Sequence, residues 1–264
     1  MALVRLPAMH YASPTASPAT PRIGTAGWSV ASGEARLFAG EGSHLQRYGQ
    51  ILNAVEINTS FYRPHRRQTY ERWAASVPSD FRFSVKMPRT ITHEARLRDC
   101  QPLIDRFVDE TAGLGEKLAV LLVQLPPSLA FDPAIVDTFL EQLRTHTGTA
   151  IVCEPRHRSW FCDTADRLLA AHGVGRVAAD PSIMAEAAVP GGSDALIYYR
   201  LHGSPRIYHS SYDGTYLAAL AQRLRSSCAT GRLCWCIFDN TAQGAALDNA
   251  LELLSRGQCG PAMQ

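Results

Sequence analysis

A chain of 264 residues and 28.9 kDa is long enough to bury a full core, as one large domain or two small ones. Its hydrophobic fraction of 46% and charged fraction of 19% are ordinary for a soluble globular protein. A formal net charge of +2 gives no support to a generally basic nucleic-acid binder and leaves only a local basic patch open.

Residues 1–21 lack the continuous apolar core of a secretory signal, and Pro14, Pro18 and Pro21 among small polar residues read as a flexible leader. The chain then alternates. A short strand over 23–28 runs into a glycine turn, 29–42 is a loop, and 43–51 can form a helix. Residues 54–58 begin as a buried strand that ends in the polar, aromatic stretch 59–63. A helix follows over 66–76, a strand over 81–87, a loop over 88–98 and a helix over 102–114. The second half predicts strands over 118–125, 150–154, 175–180, 196–202 and 233–239. Helices are predicted over 133–145, 162–172, 216–228 and 242–254. Residues 257–264 read as a frayed tail.

No apolar run approaches the roughly 18 residues that a membrane span needs. Seven cysteines without a CxxC pair suggest reduced, buried thiols and a cytoplasmic protein. Eight strand candidates, most followed by a helix, imply a parallel sheet with right-handed crossovers. They match an α/β fold with a single (β/α)8 TIM-type barrel over residues 22–256. A doubly wound open sheet is the alternative, but no GxGxxG follows the first strand.

In such a barrel, chemistry sits at the C-terminal strand ends. Those ends carry Trp28, Glu56 with Asn58, Lys86, Gln124, Glu154 with Arg156, Asp180, Arg200 with His202, and Asp239 with Asn240. A period of two places Ala54, Glu56 and Asn58 on one face, and does the same for Ser84 and Lys86, Leu122 and Gln124, and Val152 and Glu154. Ala178 with Asp180, and Tyr198 with Arg200 and His202, form the two remaining inward sets. Outward neighbours such as Val55, Val85, Val123 and Leu201 are apolar.

The segments Gly24–Trp28, Val55–Arg63, Phe83–Lys86 with Ile91-Thr92-His93, Gln124–Ser128, Glu154–Trp160, Tyr199–Gly203 and Phe238–Asn240, in this order, resemble the YecE-like family, also called domain of unknown function 72. The resemblance covers about residues 23–255 and implies a TIM-type barrel without an established reaction. The loop 29–42 departs from the family pattern, with only Phe38 and Gly40 as echoes of its usual aromatic run.

Arginine forks bind carboxylate or phosphate at two points, so the cations at the mouth point to a small anionic ligand. The leading expectation is an enzyme performing hydrolysis, elimination or isomerisation. Glu56 or Glu154 would be its base, His202 its acid/base partner, and Lys86 with Arg200 its anion or oxyanion stabilisers. Trp28, Asn58, Tyr62, Arg63, His93, Gln124, Arg156, Asp180, Asp239 and Asn240 complete the expected binding set. A Schiff base on Lys86 would need a depressed pKa, and carboxylate neighbours are expected to raise it. No cofactor is expected. A divalent metal among Glu56, Glu154, Asp180, His202 and Asp239 is a secondary reading, opposed by the competing cations and by the lack of HxH or HExxH spacing. A third is nucleic-acid binding or repair, with Trp28, Phe61, Tyr62, Trp160 and Tyr208 stacking and Arg63, Arg66, Arg67, Arg156 and Arg158 on phosphates.

Overall fold

The computed structural model describes residues 20–29, 38 and 40–258. The expected leader up to residue 19, most of the 29–42 loop and the last six residues of the tail lie outside the described residues. Strands are β1 (Arg22–Thr25), β2 (Ala54–Ile57), β3 (Arg82–Lys86), β4 (Leu118–Gln124), β5 (Ala150–Glu154), β6 (Val174–Arg176), β7 (Ala178–Asp180), β8 (Gly191–Gly192), β9 (Leu196–Leu201) and β10 (Leu233–Phe238). Helices are α1 (His44–Gly49), α2 (Arg67–Ala75), α3 (Gln101–Thr111), α4 (Pro133–His146), α5 (Asp163–Ala171), α6 (Gly214–Ala229) and α7 (Ala245–Gln258).

Local chemistry starts several helices. Ser43 and Gln46 form a reciprocal capping box at α1. Asp132 accepts from the Ala134 and Ile135 amides ahead of Pro133, whose missing N–H needs no partner in the first turn. Asp213 accepts from the Tyr216 amide at α6.

The strands form an α/β architecture of two largely parallel sheets, in the orders β1-β10-β9-β7 and β2-β3-β4-β5-β6-β8. Two seams connect them. Ala26 bridges Glu56 in parallel, and Gly27 N–H donates to the Glu56 carbonyl at 2.9 Å. At the other seam, β6 pairs with β5 while β7 pairs with β9, so the segment expected as one strand over 175–180 changes partners at Val177. The ladders are thus divided into two sheets, where the sequence suggested one continuous ring. Apolar side chains separate by strand parity: Ala54, Leu122, Val152, Val177, Tyr198 and Ile237 share an inner cluster, while Val55, Val85, Val123 and Leu201 join the larger core beneath the helices. Among the described residues no helix is long and apolar enough to cross a membrane.

The first seam depends on a glycine. A Cβ on Gly24 would collide with the Ala54 carbonyl, so β1 and β2 can approach only without a side chain there. Gly24→Ala is expected to lose about 1–3 kcal/mol of stability, read as a lowered urea midpoint at unchanged m-value.

Candidate functional site

The inward side chains of β2, β5, β9 and β10 meet at their C-terminal ends around one guanidinium. Arg200 is fully buried, with Nη2 2.7 Å from Glu56 Oε1 and Nε 3.0 Å from Glu56 Oε2. Its Nη1 donates to Glu154 Oε2 at 3.1 Å, and Nη2 lies 3.0 Å from Asp239 Oδ2. Tyr198, two residues before Arg200 on the same face, donates to Glu56 Oε2 at 3.1 Å and stands 3.0 Å from Ser84 Oγ. Three carboxylates therefore share one arginine, sealed from solvent. Arg200 cannot serve as the ligand clamp expected from the sequence, because its donors are already committed inward.

Electrostatics follow from this geometry. Burial pushes the Glu154 carboxyl upward, but Arg156, Arg200 and His202 outweigh it and hold the group well below the usual carboxylate range. Burial likewise opposes Asp239, and Arg200 with His202 bring it below its ordinary value. Burial disfavours the Arg200 charge, yet Asp239, Glu56 and Glu154 together raise its pKa well above normal.

His202 lies between two acids, with Nδ1 3.0 Å from Asp239 Oδ2 and Nε2 3.0 Å from Glu154 Oε1. Arg156 Nη2 is also 3.0 Å from Nε2. A protonated Nε2 donates to Glu154, and a bare one accepts from Arg156, so both forms find a partner. Arg156 also donates from Nε to Glu154 Oε1 at 2.8 Å and remains part-exposed.

Lys86 ends β3 on the inward face and is nearly buried. Its Nζ stands 4.1 Å over the centre of the Phe61 ring. Among the described residues it makes no hydrogen bond and no ion pair within 4.0 Å. Burial foremost, then the Arg200 charge, push its pKa down to about 8 against the opposing pull of Glu56, Glu154 and Asp239. This corrects the expectation of a raised value. The acids are spent on Arg200, and what Lys86 feels most is the loss of water.

His93 stands at the rim in a π-turn over Thr90–Glu94. Its ring meets Phe61 edge-on at 4.9 Å, and burial with the Lys86, Arg89 and Arg156 charges lowers its pKa. Tyr208 closes the other side, edge-on to His202 with ring centres 6.1 Å apart. It holds a left-handed φ of 68°, a conformation a tyrosine adopts only under constraint.

Other expected members are placed less centrally. Gln124 Nε2 reaches Glu154 Oε1 only at 3.5 Å. Trp28 packs edge-on against Trp73 at 5.0 Å. Asn58 is half-buried before the turn Thr59–Phe61, and its buried Oδ1 lacks a partner among the described residues. Tyr62 and Arg63 are exposed. Asn240 uses Nδ2 on the Ser210 carbonyl and Asn249 Oδ1, fixing the loop behind the site.

Asp180 is a correction. Its register partner is Leu201, on the outward face, and its carboxylate accepts from Tyr212 at 2.9 Å, away from the Arg200 cluster. Alternation runs unbroken through the change of partner, with Gly175 beside inward Val152, Val177 in the inner cluster and Ala179 beside Arg200, so Ala178 and Asp180 share the outward face, opposite to the phase expected from the sequence. Trp160 is also buried, donating to the Leu129 carbonyl, and Arg67 pairs with Glu71 and Asp109. Burial removes Trp160 from the stacking role considered above, while Arg67 stays half-exposed in surface ion pairs. Among the described residues, no group of three or more His, Cys, Asp or Glu side chains is placed to hold a metal ion. Arg200 occupies the position between the three carboxylates where a cation would sit.

Phe61, Tyr198, Ser84 and Tyr208 complete the site; the sequence put Tyr198 and Ser84 on inward faces and offered Phe61 and Tyr208 for stacking, without giving any of them a contact to the charged groups.

Fold and site define an α/β protein with a buried ionic cluster at the C-terminal ends of parallel strands. The family model described as "Protein of unknown function DUF72" matches residues 22–261, and the chain belongs to that family. It is 32% identical over 144 residues to the UPF0759 protein YecE of Escherichia coli K12, and 32% identical over 125 residues to YunF of Bacillus subtilis 168. The alignments cover 52% and 44% of those proteins and the same shares of this chain, about half of each. Solved DUF72 structures from Enterococcus faecalis and Thermotoga maritima superpose with TM-scores of 0.76 and 0.74 at 21% and 24% identity. Both cover 90% of this chain, and 96% and 98% of the neighbour respectively.

Proposed function

We propose that the two sheets act as one TIM-type barrel whose mouth binds a small anionic substrate and performs acid/base chemistry on it. The nine parallel strands, eight when β6 and β7 are counted as one interrupted segment, support this reading, as do the Ala26–Glu56 bridge and the change of partner at Val177. The carrying observation is the division of charge: Arg200 binds the three buried acids, leaving the near-buried Lys86 amine without a counter-ion within 4.0 Å among the described residues, and Arg156 part-exposed on Glu154.

In this scheme Lys86 and Arg156 receive the anion, His93 and Asn58 contribute neutral polar contacts at the rim, and His202 moves the proton. Glu56 and Glu154 are positioning residues: Arg200 and Tyr198 occupy the Glu56 carboxylate, and Glu154 meets Arg200 through Oε2 while its Oε1 orients His202 and Arg156. A metal-dependent hydrolase is the weaker reading, since any ion would have to displace Arg200.

Calorimetric titration with phosphate, pyruvate and glycerol 3-phosphate tests the proposal. At least one is expected to bind at a single site. Arg156→Ala is expected to weaken it about tenfold or more, the cost of one charge-assisted contact. Failure of all three to bind, or binding indifferent to Arg156→Ala, would overturn this reading.

A further inference from the structure

The chain holds 26 lysines and arginines, yet only two are lysines, Lys86 and Lys117. Everywhere else its need for a cation is met by arginine. Lysine at these two positions therefore calls for a reason particular to an amine.

Lys117 has one. Its compact ammonium donates to the carbonyls of Ala74 at 2.6 Å and Val77 at 2.7 Å, closing the C-terminal end of α2. Lys86 has no such explanation. Its backbone is held by β3 and by Ser60 Oγ, which donates to the Lys86 carbonyl at 2.7 Å, while its Nζ lies over the Phe61 face and has no hydrogen bond or ion pair among the described residues. A guanidinium could equally supply charge or stack on that ring. What it cannot supply is a nitrogen lone pair.

We infer that Lys86 is an amine nucleophile that forms an iminium with the carbonyl carbon of a small anionic aldehyde or keto acid. The inference rests on the anion-binding reading of the mouth. Neutral Nζ attacks the carbonyl carbon, forming a C–N bond as the C=O π pair moves to oxygen. The nitrogen loses a proton and the oxygen gains one, giving a carbinolamine. A further proton on that hydroxyl lets it depart as water while the nitrogen lone pair completes C=N. Ammonium plus carbonyl thus becomes protonated imine plus water, with no oxidant or reductant. His202, whose Nε2 has partners in both protonation states, is suited to move these protons, and Arg156 to hold the anionic group. With a pKa near 8, Lys86 has roughly 100-fold more free amine at neutral pH than an ordinary lysine.

Reductive trapping tests this directly. Wild-type protein is incubated with glyoxylate, pyruvate or glyceraldehyde 3-phosphate, reduced with borohydride and digested with trypsin. The reduced adduct should block cleavage after Lys86 and leave peptide 83–89 intact with the added mass. Labelling there is expected to exceed that at Lys117 by at least about tenfold, and Lys86→Arg should abolish it. Peptide mapping of the wild type keeps the test valid even if the variant folds poorly. Adducts spread equally over Lys117 and the terminal amine, or no adduct at Lys86, would overturn the proposal. Titration with lactate and glycerol 3-phosphate, which have no carbonyl to attack, separates the two failures. Arg156-dependent binding without trapping rejects the iminium and leaves the anion site standing. Absence of both rejects both.

Discussion

Arg200→Met is expected to lose about 3–5 kcal/mol of stability at pH 7, because one substitution leaves three buried carboxylates without their common counter-charge. Its acid response should also reverse in sign. In the wild type, the depressed pKa values of Glu154 and Asp239 contribute stability that is complete above their unfolded values near about 4 and is lost as pH falls through the folded ones. Without Arg200, Asp239 loses the cation that chiefly offset its burial, while Arg156 and His202 still hold Glu154. The folded value of Asp239 then lies above its unfolded one, so lowering the pH from 7 toward 4 should stabilise the variant through that group. Urea unfolding at pH 7, 5.5 and 4 reads both effects. A variant that weakens in parallel with the wild type on acidification would show that Arg200 is not the neutralising centre. Arg200→Lys, which keeps the charge but loses the fork, should fall between the two.

Lys86→Met is expected to do the opposite to stability, raising it by up to about 3 kcal/mol at pH 7. Replacing a nearly buried ammonium by an apolar chain of similar length against Phe61 removes a desolvation cost. The pH dependence fixes the sign. The folded pKa near 8 lies below the unfolded value of about 10.4, so between them the unfolded chain binds more protons and wild-type stability should rise with pH. Lys86→Met should lack that rise, and the two proteins should converge near pH 10. Urea midpoints measured at pH 7, 8.5 and 10 decide it, and a flat wild-type profile would mean that Lys86 is not held against its charge. A residue that weakens the fold while facing a polar mouth is what a stability–activity trade-off produces. The same substitution should abolish reductive trapping.

These effects depend on a cluster that was only half visible in the sequence. Alternation with period two depends on neighbours a few residues apart. It was therefore sufficient to put Glu56, Ser84, Lys86, Gln124, Glu154, Arg200 and His202 on inward faces, and to place Val55, Val85, Val123 and Leu201 under the helices. Helix positions were legible for the same reason, as at α4, where Asp132 and Pro133 mark the start.

Asp180 shows what local periodicity leaves open: alternation puts Ala178 and Asp180 on one face, and only the pairing of Gly175 with Val152 and of Ala179 with Arg200 makes that face the outer one. Those pairings, β6 with β5 and β7 with β9, are tertiary contacts between separate strands, which a pattern within one strand does not specify. Lys86 shows the same for charge. Its surroundings contain the acids the sequence suggested, but Arg200, 144 residues beyond Glu56, takes the fork geometry that neutralises them. Which faces are polar is a property of neighbouring residues, so the sequence alone determined it. Only the tertiary structure decided which cation meets which acid, and which amine is left without water or partner, because Coulomb and desolvation energies depend on distances that folding sets.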